Sequence, residues 1–165
     1  MHFVNKTYLQ FAETKEYFLK AGMDAPENLL AYTDFDGDFK TDGHKDNFVK
    51  KWAAHDKDWK IGDPSWQNGK GKGLIGGLNY LAEKGMNSLY FLVMNEHGDG
   101  DNVWPWIAPD EQSRYDVSKL AQWDKMFTHM DELGMAMNVF TQETENDTIL
   151  NKGELGLERK LYYKE

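Results

Sequence analysis

The feature that most constrains this chain is a pattern that occurs twice along it. An amphipathic segment leads to a glycine, an apolar run of strand length and a cluster of polar residues, as LAEKGMNSLYFLVMNE and again as MDELGMAMNVFTQETE. Apolar residues at helical spacing before each glycine predict helices over 73–84 and 118–133. The apolar runs predict buried strands over 88–94 and 135–141. Strands that alternate with helices predict an α/β fold with a parallel sheet.

The rest of the chain is less regular. Residues 2–22 alternate in a way that predicts short strands forming an N-terminal β-hairpin. Residues 34–72 are rich in Gly, Asp and Lys, and we expect only a short helix over 47–55. A connection this long is usually functional or disordered, and its three tryptophans favour order. A further helix is predicted to begin near Glu154. We expect the 165 residues to form a single domain, 1–165.

Composition excludes several classes of protein. The chain has 19 Lys and Arg against 28 Asp and Glu, and its net charge of −9 argues against nucleic acid and anionic membranes as partners. The absence of cysteine removes disulfides, thiol catalysis and cysteine-based metal sites. No apolar run has the length of a membrane span, and MHFVNKTYLQ is not a signal peptide.

Polar residues collect where the predicted strands end. In parallel α/β proteins, ligands bind beyond the carboxyl ends of the strands. These residues are carboxylates and amides almost throughout, and such groups form hydrogen bonds with polyhydroxylated ligands such as sugars. An ordinary solvated loop remains the alternative interpretation. The candidate substrate-binding residues here are Asp24, Glu27, Asn95, Glu96, His97, Gln142, Glu143 and Glu145.

Two tryptophans, Trp104 and Trp106, follow the second strand end within the motif WPW. A flat indole ring with an N–H at its edge suits the C–H face of a sugar ring. We therefore include both residues among the candidate substrate-binding residues. The alternative is that a ring fills the core beneath the loop.

The acidic loops raise the question of metal ions. No two of the five histidines have the spacing of zinc ligands, and neither acidic string satisfies the EF-hand pattern. We expect no metal and no cofactor, with a loose calcium site at Asp99, Asp101 and Asn102 as the remaining alternative. The glycine-rich GKGKG before the first predicted helix matches no phosphate-binding motif.

Long strings of the sequence resemble a known family. They are YFLKAGMDAPENLLAYTDFDG, GDPSWQNGKGKGLIGGLNYLAEKGMNSLYFLVMNEHGDGDNVWPW, FTQETEND and GELGLERKLYYKE. The resemblance covers nearly all of the chain, from about Phe3 to Glu165. The family comprises bacterial glycoside-hydrolase-like proteins that are often named after a neighbouring "collagen-binding domain". Nothing in these residues suggests binding to collagen.

The resemblance implies the N-terminal part of a (β/α)8 (TIM-type) barrel, with about three βα units after the hairpin. It also implies a secreted or periplasmic protein that acts on polysaccharides or oligosaccharides. In related barrels the acid/base carboxylate follows the fourth strand and the nucleophile follows a later one. The chain would therefore supply a substrate-binding wall, with its catalytic residues unknown, and we expect it to be inactive alone.

Two other functions remain open at this stage. The chain could be a self-contained carbohydrate-binding module, or a structural fragment that completes its sheet with another chain. Three parallel strands do not close into a barrel, so the third strand has an edge of unpaired backbone groups. We therefore expect a homo-oligomer through the exposed edge near Met135.

Overall fold

A computed structural model of the chain describes residues 1–4, 8–24, 27–37, 49–98 and 103–164. Two three-stranded sheets and three α-helices organise these residues. The strands are β1 His2–Val4, β2 Tyr8–Gln10, β3 Tyr17–Phe18, β4 Gly22–Asp24, β5 Ser88–Leu92 and β6 Ala136–Phe140. The helices are α1 Lys72–Glu83, α2 Val117–Glu132 and α3 Leu157–Tyr162.

The second sheet is parallel, as the repeated pattern predicts. Its strand order is β4-β5-β6, with Ser88 of β5 opposite Gly22 of β4 and Ala136 of β6. Helix α1 precedes β5 and helix α2 connects β5 to β6, so the alternation of strands and helices is confirmed. This establishes a mixed α/β architecture. These three parallel strands form an open sheet and not a closed barrel.

The N-terminal strands form more than the expected hairpin. Strands β1, β2 and β3 build an antiparallel sheet in the order β1-β2-β3. The apolar run over 17–22 divides between the two sheets, because β4 leaves the first sheet and pairs with β5. Gly22 fits there since a Cβ at this position would lie 1.7 Å from the carbonyl oxygen of Ser88.

The irregular segment before α1 packs against that helix. A 3₁₀ helix over Ala53–Asp58 overlaps the end of the short helix expected over 47–55, and residues 47 and 48 of that range lie outside the described residues. This 3₁₀ helix approaches α1 so closely that a Cβ on Gly76 of α1 would lie 2.0 Å from the carbonyl oxygen of His55. Glycines in α1 thus allow contact between the two backbones.

Two groups of buried side chains form the core. The larger group lies between the parallel sheet and helices α1 and α2. The smaller group lies beyond the end of β5 and contains Met94, Trp104, Trp106, Leu150 and Tyr162. It fixes the loops that follow the parallel strands, and so it supports the candidate site.

The last predicted helix is shorter than its apolar pattern suggests. Helix α3 begins at Leu157, and its Tyr162 is buried. Leu155 and Leu157 are largely exposed, so they do not form the expected buried stripe. In the described part of the chain, no helix has both the length and the apolar character needed to cross a membrane.

Candidate functional site

The candidate site lies where the parallel strands end. Because β4, β5 and β6 run in the same direction, the residues that follow them meet at one edge of the sheet. Asn95, three residues after β5, is fully buried, and its Nδ2 donates a 3.0 Å hydrogen bond to the carbonyl oxygen of Glu27. The loop after β4 is thereby joined to the loop after β5, as the sequence predicts.

Glu96 is the centre of this region. Its side chain has 0% exposure, and its carboxylate accepts hydrogen bonds from three different groups. The indole Nε1 of Trp106 donates to Oε2 over 2.8 Å. The backbone N–H of Asp110 donates to Oε1, and Nε2 of Gln112 lies 3.5 Å from both oxygens. The segment from 106 to 112 is therefore folded around one carboxylate.

The environment of Glu96 raises the pKa of its carboxyl group. Burial is the main cause, because it disfavours the charged form. The nearby charge of Asp110 raises the pKa further, while the hydrogen bonds from Trp106 and the Asp110 N–H lower it. The repulsion from Asp110 contributes less to this rise in pKa than burial does.

His97 and Asp110 lie beside Glu96 and are more accessible. Nε2 of His97 lies 2.9 Å from Oδ1 of Asp110 and 4.0 Å from Oε1 of Glu96. The imidazole is 31% exposed and the Asp110 carboxylate is 71% exposed. These three side chains, hereafter the Glu96 cluster, each place a ligand atom within 4.8 Å of the others.

The loop after β6 reaches the same place through Glu143. A Cβ on Gly98 would lie 1.8 Å from Oδ1 of Asn95 and 1.9 Å from Oε1 of Glu143, so these two oxygens are within 3.7 Å of each other. Glu143 also caps the 3₁₀ turn over Thr144–Asn146. The buried Asn146 of this turn donates from Nδ2 to the carbonyl oxygen of Met94 over 3.4 Å.

Other predicted residues lie at the margin. Gln142 donates from Nε2 to the carbonyl oxygen of Asn146 over 3.0 Å, so it stabilises the turn. Asp24 and Glu145 are exposed, and neither takes part in the hydrogen bonds described above for the Glu96 cluster. The alternative calcium ligands Asp99, Asp101 and Asn102 lie outside the described residues.

The two tryptophans do not form the predicted stacking platform. Trp104 and Trp106 are 2% and 0% exposed, so neither ring presents an open face to a ligand. The ring of Trp106 packs against Tyr115 and Tyr162, with centroids 5.3 and 5.6 Å away. The rings instead fill the core beneath the loop, which is the alternative interpretation given in the sequence analysis. Burial of the apolar indole surface is more favourable than its exposure to water.

Sequence reasoning missed Lys119. This lysine of α2 is buried, and its Nζ donates to the carbonyl oxygens of Trp104 and Trp106 over 3.1 and 3.3 Å. Burial lowers the pKa of its amine to about 8, although the charge of Asp116 opposes this shift. The side chain fastens the WPW loop onto α2, and no sequence signal separates it from a solvent-exposed lysine.

Asp110 and Gln112 were also missed. They follow WPW in the polar string PDEQ, which resembles many surface turns. The sequence signal for these residues is this second cluster of polar residues close after the tryptophans.

Comparisons of the chain with protein-family models, with curated proteins and with solved structures find no match.

Proposed function

We propose that this chain forms the substrate-binding wall of a glycoside hydrolase built on a (β/α)8 barrel. Its substrate would be a polysaccharide or an oligosaccharide. The main support is the meeting of three polar loops at the carboxyl edge of a parallel sheet, where Asn95 joins Glu27 and approaches Glu143. Ligands of parallel α/β proteins bind at this edge.

Within this proposal the buried and the accessible groups have different roles. Glu96 and Asn95 are fully buried, and they hold the loops in place. Glu27, His97, Asp110 and Glu143 retain exposed surface and would contact sugar hydroxyls. We assign no catalytic residue, since hydrolysis requires two carboxylates at a defined separation across the glycosidic bond. Export from the cell, as in the family that the sequence resembles, belongs to the same proposal.

The experiment is a binding measurement with a panel of soluble neutral and acidic polysaccharides, using gel retardation and calorimetry. We expect saturable binding to at least one member and no release of reducing sugar. Glu27→Ala and Glu143→Gln should each weaken binding about fivefold or more. Glu13→Ala is the matched control, because Glu13 is exposed in the turn after β2.

The same measurement can overturn the proposal. Failure of every polysaccharide to bind would do so, as would equal binding by the wild type and both variants. Release of reducing sugar by the purified chain would instead overturn the expectation that it is inactive alone. The self-contained carbohydrate-binding module is less favoured, since it relied on Trp104 and Trp106 as a stacking platform and both are buried.

A second candidate function is assembly through β6. Among the described residues β6 pairs only with β5, and it lies at the edge of the parallel sheet. Met137, Val139 and Phe140 on this strand are exposed apolar side chains. An apolar edge with unpaired backbone groups favours pairing with another strand. A second copy of this chain is the partner that we propose for it.

A further inference from the structure

We propose that Glu96, His97 and Asp110 form a site for a divalent transition-metal ion, of which Zn²⁺ is the best match. The site differs from the calcium alternative of the sequence analysis in both its residues and its chemistry. It shares His97 and Asp110 with the proposed carbohydrate function, but metal binding can be measured without any sugar.

The donor set selects the kind of metal. An imidazole nitrogen and two carboxylate oxygens are ligands that Zn²⁺ and Mn²⁺ accept. Calcium is usually bound by six to eight oxygens, and an imidazole is not among its preferred ligands. Three protein ligands would leave a coordination position for water or another molecule, as in open zinc sites.

The distances fit a metal after a small adjustment. Zinc bonds of about 2.0–2.2 Å place neighbouring tetrahedral ligands about 3.3 Å apart. His97 Nε2 lies 2.9 Å from Asp110 Oδ1 and 4.0 Å from Glu96 Oε1, values on either side of that separation. All three ligand atoms lie within 4.8 Å of one another. Shifts of about half an ångström in the partly exposed His97 and Asp110 side chains would bring the imidazole closer to Glu96 and complete the geometry.

The surroundings already orient the buried ligand. The hydrogen bond from Trp106 to Oε2 fixes the plane of the Glu96 carboxylate and leaves Oε1 on the side of His97 and Asp110. A carboxylate oxygen has two lone pairs, so Oε1 can accept from the Asp110 N–H and still bind a metal. Such outer hydrogen bonds are typical of metal sites.

The cluster is also reachable from solvent. Glu96 has no exposed surface, while His97 and Asp110 are partly exposed and form the outer side of the cluster. A metal ion could reach the Glu96 carboxylate past the exposed Asp110 side chain. It would also supply a positive charge beside the fully buried Glu96 carboxylate.

The experiment is calorimetric titration of the full chain, freed of metal by a chelator, with ZnSO₄ and separately with MnCl₂ and CaCl₂. We expect one Zn²⁺ per chain. His97→Asn and Asp110→Asn should each weaken Zn²⁺ binding by about tenfold or more. Asparagine suits position 97, where the backbone φ is +60°. Co²⁺ bound to the wild type should show visible absorption that the His97→Asn variant loses.

The control is a second histidine in a similar pair. Nδ1 of His55 lies 2.8 Å from Oδ2 of Asp58, and the side chains are 25% and 23% exposed. This pair belongs to no three-ligand cluster among the described residues. His55→Asn should therefore leave Zn²⁺ binding unchanged. Far-UV circular dichroism of each variant checks that it is folded.

Several results would overturn the proposal. They are no saturable Zn²⁺ binding to the wild type, equal binding by Asp110→Asn, or saturable binding of Ca²⁺ in place of Zn²⁺. If His97→Asn fails to fold, the Asp110→Asn variant tests the proposal, because the Asp110 side chain is mostly exposed. Polysaccharide binding is tested with Glu27 and Glu143, so failure of one proposal is distinguishable from failure of the other.

Discussion

Trp106 and Glu96 are joined by a 2.8 Å hydrogen bond between Nε1 and Oε2, and neither side chain has exposed surface. The pair joins the smaller core group, which contains Trp106, to the Glu96 cluster. A buried carboxylate is costly unless its oxygens accept hydrogen bonds. The indole therefore both fills the core and stabilises the acid beside the candidate site.

Removal of this indole N–H should destabilise the fold. We expect Trp106→Phe to lower the free energy of unfolding by about 1–3 kcal/mol more than Trp123→Phe does. The control is matched because Trp123 is similarly buried, while its Nε1 has no hydrogen-bond partner in the described part of the chain. Urea unfolding followed by circular dichroism measures both values. Equal losses in the two variants would contradict this role for the hydrogen bond.

The contact between α1 and the 3₁₀ helix predicts a second sensitive position. A Cβ on Gly76 would lie 2.0 Å from the backbone oxygen of His55, whereas a Cβ on Gly77 would mainly meet the ring of Trp52. Overpacking costs about 1–3 kcal/mol, and a rigid backbone yields less than a side chain. We expect Gly76→Ala to destabilise the protein clearly more than Gly77→Ala in thermal unfolding. The reverse order would contradict the close approach.

Much of the fold follows from local patterns in the sequence. The helical spacing before Gly85 and Gly134 predicts α1 and α2 to within one residue at each end, because amphipathic periodicity is a local property. Strands β5 and β6 lie within their predicted runs, at Ser88–Leu92 and Ala136–Phe140. Their parallel pairing follows from the intervening helix.

The site could be predicted only in part. Asn95 and Glu96 could be predicted because they directly follow the apolar run over 88–94. Asp110 and Gln112 were not, since they reach Glu96 from 14 and 16 residues further along the chain. The burial of Trp104 could not be predicted either, because an indole in a loop suits a ligand and a core equally well. Such choices depend on packing between distant segments.

The buried amine of Lys119 predicts how stability changes with pH. Its pKa is about 8 in the folded chain and 10.5 ordinarily, so above pH 8 the folded state loses its proton first. The unfolded state then binds more protons, and stability rises with pH in that window. We expect a gain of about 1 kcal/mol from this group between pH 7 and about pH 9. Chemical unfolding at both pH values measures it.

Two variants isolate the contribution of this amine. Lys119→Met should abolish the gain between the two pH values, and Lys125→Met, at an exposed position of the same helix, should retain it. The measurement stops below pH 10, because burial raises the pKa of Tyr32 and Tyr162. A tyrosine whose pKa is raised in the folded state makes the protein less stable above the pKa that this tyrosine has in the unfolded state. An unchanged pH dependence in Lys119→Met would contradict the prediction.

The open edge of the parallel sheet predicts self-association. Val139 on β6 is an exposed apolar side chain on a strand that pairs on one side only among the described residues. A lysine on an edge strand discourages pairing between chains, because the charge would have to be buried. We expect the wild-type chain to increase in mass with concentration in light scattering, and Val139→Lys to remain monomeric. Val117→Lys is the control, since Val117 is exposed at the start of α2, away from this edge. A wild type that is monomeric at every concentration would contradict assembly through β6, as would equal association of wild type and Val139→Lys.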